Sequence, residues 1–244
     1  MMKTDLNKIK DKSKMLFDLI SFEDAAKVID DEFKGLFISH PYTNSAFVQG
    51  KNNSIVNLLE DIDEQKEYRK RIFSLIDKAR NSINIMRLLN KPYYLFWFKL
   101  IEDYLSEKDY AQLLKEVWTT SENPNMDINV PVEVSLGFFL DCNTNYLMDD
   151  EEKEFYNSLP NTVTLYRGVS KGRNPFGLSY TTNYDKAEWF SKRFTNTEDY
   201  IISLEVKKKD CICYINSRNE EEIILNINNY LSEITSQVPK GERT

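Results

Sequence analysis

The spacing of apolar residues changes once along this chain, and that change constrains the fold more than any other feature. Up to about residue 159, apolar side chains recur three or four positions apart, as in amphipathic helices. From Thr162 onward the apolar runs are short, rich in β-branched and aromatic residues, and separated by turn-forming residues, which favours strands. The sequence therefore predicts an α+β protein. The predicted strands cover residues 163–166, 178–181, 200–206, 211–215 and 223–227.

The helical part is expected to form a bundle before the β-rich part begins. Its longest apolar stripe runs from Ile72 to Leu89 and predicts one continuous helix. The polar, turn-rich stretch 121–129 then interrupts the pattern, which is typical of a domain boundary or of a loop near a site. We therefore predict a helical domain over 1–125 and a second domain over 126–244. The predicted helical segments lie within residues 1–35, 54–121, 132–139 and 149–159.

Composition and missing motifs exclude several classes of protein. A net charge of -7 and a pI near 5.0 argue against a nucleic-acid partner. A single histidine and three cysteines, two of them on one predicted strand, argue against a zinc site, so no metal is expected. The N-terminus has no apolar signal core, and no apolar run has membrane-spanning length, so we expect a cytoplasmic protein without a membrane partner. The usual glycine-rich phosphate loops and the G-x-S-x-G pattern of serine hydrolases are absent.

Three groups of polar residues interrupt the β-rich pattern with side chains that can do chemistry. An arginine offers a permanent cation whose planar fork suits phosphate, and a glycine beside it lets a ligand approach the backbone closely. Hydroxyl groups can orient a carboxylate or a ribose, and two neighbouring carboxylates can take separate roles in one reaction. Together they suit a ligand that carries both phosphate and ribose. The groups are Tyr166-Arg167-Gly168, Ser179-Tyr180-Thr181-Thr182 and Glu220-Glu221-Glu222.

In their order and residue types these groups make residues 162–227 resemble the Arg-Ser-Glu class of ADP-ribosyltransferases. That class has an aromatic-Arg strand, a Ser-Thr-Ser-like strand followed by a helix, and a Glu-x-Glu before the last strands. The longer context also resembles uncharacterised members encoded by phages and prophages. The resemblance implies that an ADP-ribosyltransferase-like split β-sandwich with flanking helices occupies 126–244. It also implies a mono-ADP-ribosyltransferase that acts on a host or defence protein.

The resemblance assigns part of the site to the binding of NAD, the implied substrate. Arg167 would hold a phosphate, and the backbone of Gly168 would meet the nicotinamide amide. Phe190, on the helix after the hydroxyl strand, would stack on the nicotinamide ring. This chain has Ser-Tyr-Thr-Thr where the family has Ser-Thr-Ser, so the hydroxyl that faces NAD is that of Ser179 or that of Thr181.

The resemblance assigns the chemical step to the two glutamates. Glu222, oriented by Ser179, would bind the ribose hydroxyl and stabilise the oxocarbenium-like centre as nicotinamide leaves. Glu220 would position or deprotonate the acceptor. In the family a glutamate at this first position accompanies arginine acceptors, so an arginine of a protein is the favoured target.

Simpler interpretations exist for each group taken alone. Arg167 also fits an exposed ion pair at a strand end, the hydroxyls fit ordinary strand and cap residues, and the glutamates fit the protection of a sheet edge. Two other functions share the same fold: a non-catalytic module that blocks a partner, and an NAD glycohydrolase without a protein acceptor. Transfer of ADP-ribose from NAD distinguishes the three.

Overall fold

The computed structural model describes residues 3–33, 35–50, 53–193 and 199–239 and confirms the α+β class. The chain forms two compact units, Met1–Asp109 and Tyr110–Thr244. The division lies earlier than the expected boundary between 125 and 126. Residues 110–125 belong with the β-rich part because Trp118 and Asn125 are hydrogen-bonded to its strands.

Unit 1 is mainly helical and has an aromatic core. Phe22 stacks on His40 with ring centroids 4.6 Å apart, and Phe17 meets the same imidazole edge-on at 4.9 Å. Burial lowers the pKa of His40 to about 4, so this imidazole is neutral at ordinary pH. The elements are α1 (Leu6–Phe17), α2 (Phe22–Lys27), β1 (Phe47–Gln49), β2 (Ile55–Asn57), α3 (Ile62–Lys78), α4 (Ser82–Met86), α5 (Tyr94–Ile101) and the start of α6 (Glu107–Thr120).

Two predictions for unit 1 are wrong. The segment from Ile55, expected to be helical, begins with β2, which pairs antiparallel with β1 as a short hairpin. The stripe from Ile72 to Leu89 is not one helix, because α3 ends at an extended Ala79 and Asn81 caps the separate helix α4. The Asn81 side chain accepts from the Asn84 backbone N–H at 2.9 Å, a local bond that competes with helix continuation.

Unit 2 contains the β-rich part, and each of the five predicted strands overlaps an observed one. Asn183 caps the helix between the second and third of these strands: its side chain accepts from the backbone N–H groups of Asp185 and Lys186. The elements after α6 are α7 (Val132–Asp141), α8 (Thr144–Leu147), α9 (Asp150–Ser158), β3 (Thr162–Val169), β4 (Ser179–Tyr180), α10 (Tyr184–Lys192), β5 (Tyr200–Lys207), β6 (Cys211–Ile215), β7 (Glu222–Leu225) and α11 (Leu231–Gln237).

The described strands of unit 2 form two antiparallel sheets. One pairs β3 with β5, and the other has the order β4-β7-β6. A single bridge joins the sheets: Tyr166 N–H donates to Thr181 O at 2.8 Å, and Thr181 N–H donates back to Tyr166 O at 2.9 Å. The bridge brings the arginine strand and the hydroxyl strand side by side.

The three cysteines are buried and unpaired. Cys211 and Cys213 lie on β6 with a register irregularity between them, and Cys142 follows α7. Burial raises the pKa of Cys142 to about 12 and that of Cys211 to about 11, so both thiols stay protonated at neutral pH. These side chains act as small apolar residues of the core.

Candidate active site

A cleft in unit 2 collects the three polar groups singled out in the sequence. It encloses about 970 Å³ of non-protein space, a volume that includes open solvent at its mouth. Its walls come from β3, β4, β7, α10 and the loop that follows α6. All seven predicted site residues line it, namely Arg167, Gly168, Ser179, Thr181, Phe190, Glu220 and Glu222.

Glu222 begins β7 and carries a carboxyl group fixed from two sides. Ser179 Oγ donates to Glu222 Oε1 in a short hydrogen bond, and Trp118 Nε1 donates to the same oxygen at 2.9 Å. Burial raises the pKa of Glu222, while these two hydrogen bonds oppose the rise. The carboxyl group is thus held in one orientation in a setting where its charge is costly, which is typical of catalytic acids and bases.

The two candidate hydroxyls have different partners. Ser179 Oγ contacts Glu222 and also accepts from Asn125 Nδ2 at 2.7 Å. Thr181 is 5% exposed, and its Oγ1 accepts from the Asn183 N–H at 3.1 Å beside the sheet-joining bridge. Of the two, Ser179 is therefore the residue whose hydroxyl reaches the carboxylate.

The loop 216–222, here called the carboxylate loop, brings Glu220 to the cleft. Its backbone conformation was not predicted from the sequence. In a fully extended backbone, Glu220 and Glu222 would project to one side, because they are two residues apart. Instead Asn219 and Glu221 have left-handed φ values of 55° and 53°. A left-handed glutamate costs on the order of 1 kcal/mol, so this geometry is imposed by its surroundings. Glu221 turns away and pairs with Lys186 of α10 at 3.4 Å.

Glu220 is paired within the same loop. Its Oε2 lies 3.2 Å from Arg218 Nη2, and both residues line the cleft. The guanidinium group of Arg218 thus lies against the carboxylate of Glu220, which the resemblance implies would position or deprotonate the acceptor.

The guanidinium group of Arg167 is fixed by hydrogen bonds within the protein. Nη1 donates to Ser179 O at 2.9 Å and Nη2 donates to Asn174 O at 2.8 Å, so the guanidinium joins β3 to the loop before β4. It packs flat against Gly177, where any Cβ would overlap it. Burial lowers the pKa of Arg167, but an arginine stays charged. Its buried Nε has no hydrogen-bond partner among the described residues.

Gly168 and Phe190 are linked through α10. A Cβ at Gly168 would overlap the backbone oxygen of Ala187, so the glycine allows α10 to lie directly on β3. Phe190 then reaches the cleft from α10. Trp189, the neighbouring residue on α10, is 58% exposed.

Two residues of the site were missed from the sequence, Trp118 and Asn125. Trp118 occupies an apolar position of α6 and is indistinguishable there from a core residue, except that a buried indole N–H needs an acceptor. Asn125 links the loop after α6 to β4: its Nδ2 reaches Ser179, and its Oδ1 accepts from the Leu178 N–H at 2.5 Å. For Asn125, the turn-rich composition of residues 121–129 was the sequence feature that indicated a loop near a site.

The charge of the cleft differs from that of the whole chain. Although the chain carries -7, four arginines and three glutamates are among the residues described as lining the cleft. Such a local excess of guanidinium groups favours an anionic ligand. The arginines are Arg167, Arg173, Arg193 and Arg218, and the glutamates are Glu122, Glu220 and Glu222.

The Glu222→Gln variant is expected to be more stable than the wild type at neutral pH, by on the order of 1 kcal/mol. Because the folded pKa of Glu222 is raised, its contribution to stability is present in acid and is lost as the pH rises through that pKa. Glutamine keeps an oxygen acceptor for Ser179 and Trp118 without the buried charge. Calorimetric Tm values at pH 7.5 and near pH 4 measure the difference, which should vanish in acid. A variant that is less stable at pH 7.5 would contradict the assignment.

Other classes of site have no support in the described residues. No cluster of three His, Cys, Asp or Glu side chains with metal-ligand geometry occurs in residues 3–33, 35–50, 53–193 and 199–239. None of the helices in those ranges has the length and apolar character needed to cross a membrane. Comparisons of the chain with protein-family models, with curated proteins and with solved structures found no match, so the functional argument rests on the cleft itself.

Proposed function

We propose that this protein is a mono-ADP-ribosyltransferase that transfers ADP-ribose from NAD to a protein acceptor, with arginine as the favoured target. The observation that carries the proposal is the Glu222 carboxyl group, oriented by Ser179 inside a cleft with an excess of arginines. A fixed carboxylate beside a phosphate-binding region suits the cleavage of a glycosidic bond in a phosphorylated ribose. The proposal includes a cytoplasmic location and a target among host or defence proteins.

The arrangement of unit 2 supports an ADP-ribosyltransferase-like split β-sandwich. Two small antiparallel sheets meet at the Tyr166–Thr181 bridge, and α10 packs on β3 beside that junction. Arg167, Ser179 and Glu222 lie on three strands, and the strands are adjacent around the cleft. This order agrees with the family resemblance of residues 162–227.

The residues present suit NAD as the substrate. The arginines of the cleft offer positive charge for the diphosphate. Phe190 offers an aromatic face for the nicotinamide. The cleft thus offers arginines for the diphosphate and an aromatic ring for the nicotinamide of the dinucleotide.

The proposed reaction assigns one role to each glutamate. The bond between ribose C1′ and the nicotinamide nitrogen breaks, and nicotinamide leaves with the electron pair. Glu222 stabilises the positive charge that develops on the ribose. A guanidinium nitrogen of the acceptor forms the new bond to C1′, and its proton passes to Glu220.

The proposal is tested by incubating the full chain with labelled NAD and cell lysate, with the Glu222→Gln variant as background. Labelled protein bands above that background are expected. Free ADP-ribose without labelled protein would instead indicate an NAD glycohydrolase. Absence of both products, with binding of a lysate protein unaffected by the variant, would favour the non-catalytic module and overturn the proposal.

The Glu220→Gln variant is expected to lose protein transfer by about 100-fold, the usual contribution of a general base. NAD hydrolysis to free ADP-ribose should persist within a few-fold, because Glu222 still acts on the ribose. Quantifying labelled protein and free ADP-ribose in the same reaction measures both. Equal losses in the two products would show that Glu220 acts on NAD rather than on the acceptor.

A further inference from the structure

Helix α6 supports both ends of the carboxylate loop, one end indirectly through Glu152 of α9 and the other end directly through Trp118. Lys115 Nζ pairs with Glu152 Oε2 at 2.5 Å, and Glu152 Oε1 accepts from the Asn216 N–H at 2.8 Å. At the other end, Trp118 Nε1 donates directly to Glu222 Oε1. Residues three apart share one face of a helix, so a single face of α6 supports the loop at its beginning and its end.

We propose that Trp118 is a positioning residue that fixes Glu222 Oε1 and leaves Oε2 to the ligand. The identity of the ligand in this inference rests on the proposed function. The hydrogen bond between Trp118 and Glu222 does not depend on that function. Within the described part of the chain, both hydrogen bonds of the carboxyl group end on Oε1. Two donors on Oε1 hold the carboxyl group in place, and Oε2 accepts no hydrogen bond from the described residues, so we assign it to a ligand in the cleft that Glu222 lines.

The surroundings of Trp118 make it a rigid support. Its side chain is 1% exposed and meets the ring of Phe139 edge-on, with centroids 5.0 Å apart. A fully buried indole cannot follow a moving carboxylate, so the carboxylate must adopt the position that the indole defines.

A purely structural role for Trp118 makes a different prediction. If the residue only fills space, phenylalanine should replace it at the cost of some stability and nothing more. If its N–H positions Glu222, the same replacement also changes the titration of the carboxyl group. The Trp97→Phe variant is a matched control, because Trp97 is fully buried in unit 1 and donates its own indole N–H to Ser13 Oγ at 2.8 Å.

Several charged or titratable groups face Glu222 besides the two donors. Arg218 and Glu220 belong to the carboxylate loop, Arg167 lies on β3, and Cys213 lies on β6. None of them changes in the Trp118→Phe variant. Loss of the indole donor removes a bond that favours the charged carboxylate, so the pKa of Glu222 should rise further.

The contact is tested without activity by NMR of the three tryptophan indole N–H groups. The signal missing from Trp118→Phe identifies residue 118. In Glu222→Gln at pH 7 that signal should shift because its acceptor has lost its charge, while the signal of Trp97 stays in place. A residue-118 signal that is the same in wild type and Glu222→Gln would overturn the proposal.

The functional consequence is tested by transfer kinetics. Trp118→Phe should lower kcat about 10-fold or more, with KM for NAD changed less than threefold, and should move the acid limb of the pH profile to higher pH. Trp97→Phe should leave the profile in place. An unchanged profile in Trp118→Phe would also overturn the proposal. If the indole signal responds but no variant or wild type transfers ADP-ribose, the contact stands and the proposed function fails.

Discussion

Glu222→Gln should lower ADP-ribosyl transfer by at least about 1,000-fold while the protein stays folded. The change removes the negative charge that faces the developing positive charge on the ribose, and it keeps the shape of the side chain. Affinity for NAD should change only a few-fold, because the proposed binding mode assigns the phosphates and the nicotinamide to other residues. Single-turnover transfer with labelled NAD and a separate binding titration measure the two quantities.

Glu221→Gln is the matched control for that prediction. It makes the same chemical change one residue earlier, at a side chain that pairs with Asn183 and Lys186 instead of lining the cleft. Transfer by this variant should stay within about threefold of the wild type, because Glu221 does not line the cleft and glutamine keeps an oxygen acceptor for Asn183. Equal losses in both variants would show that the effect comes from the loop conformation and not from the carboxylate of Glu222.

Gly168→Ala should destabilise unit 2 by about 3 kcal/mol or more, or prevent its folding. The added methyl group would overlap Ala187 O and crowd Ser191 N, which are backbone atoms of α10 that cannot rotate away. The helix would have to lift off β3. Thermal unfolding should show a Tm lower by about 10 °C, since 1 kcal/mol corresponds to a few degrees in a unit of this size.

Gly137→Ala provides the control, because a Cβ at that position on α7 meets no atom within 4 Å. Alanine in a helix is favoured over glycine by about 0.5–1 kcal/mol, so this variant should be as stable as the wild type or more stable. If Gly168→Ala folds with an unchanged Tm but loses NAD affinity, the glycine would serve the ligand and not the packing of α10.

The β-rich part was predictable because its signals are local. Alternating apolar runs and turn residues locate the five strands, and Asn183 is a strong helix cap. Arg167, Ser179 and Glu222 could be selected because each is a polar residue at the edge of an apolar run. Whether these residues have the proposed roles stays a prediction that the variants above test.

The rest of the site depends on contacts that no local pattern encodes. Trp118 has the same apolar spacing as its neighbours on α6, and only the tertiary fold brings its N–H to Glu222. The left-handed Glu221 opposes the intrinsic preference of glutamate, so extended backbone was the reasonable expectation. The hairpin of β1 and β2 was mistaken for helix because a short apolar run fits both periods.

The burial of all three cysteines has a practical consequence for labelling experiments. Thiol-specific reagents attack the exposed thiolate, and these thiols are buried, with the pKa values of all three raised by burial. The native chain should therefore give no background with maleimide dyes. A single cysteine in place of Met126, which lines the cleft and is 46% exposed, would then carry one fluorophore. Its emission would report dinucleotide entry in real time, without any need to identify the acceptor protein.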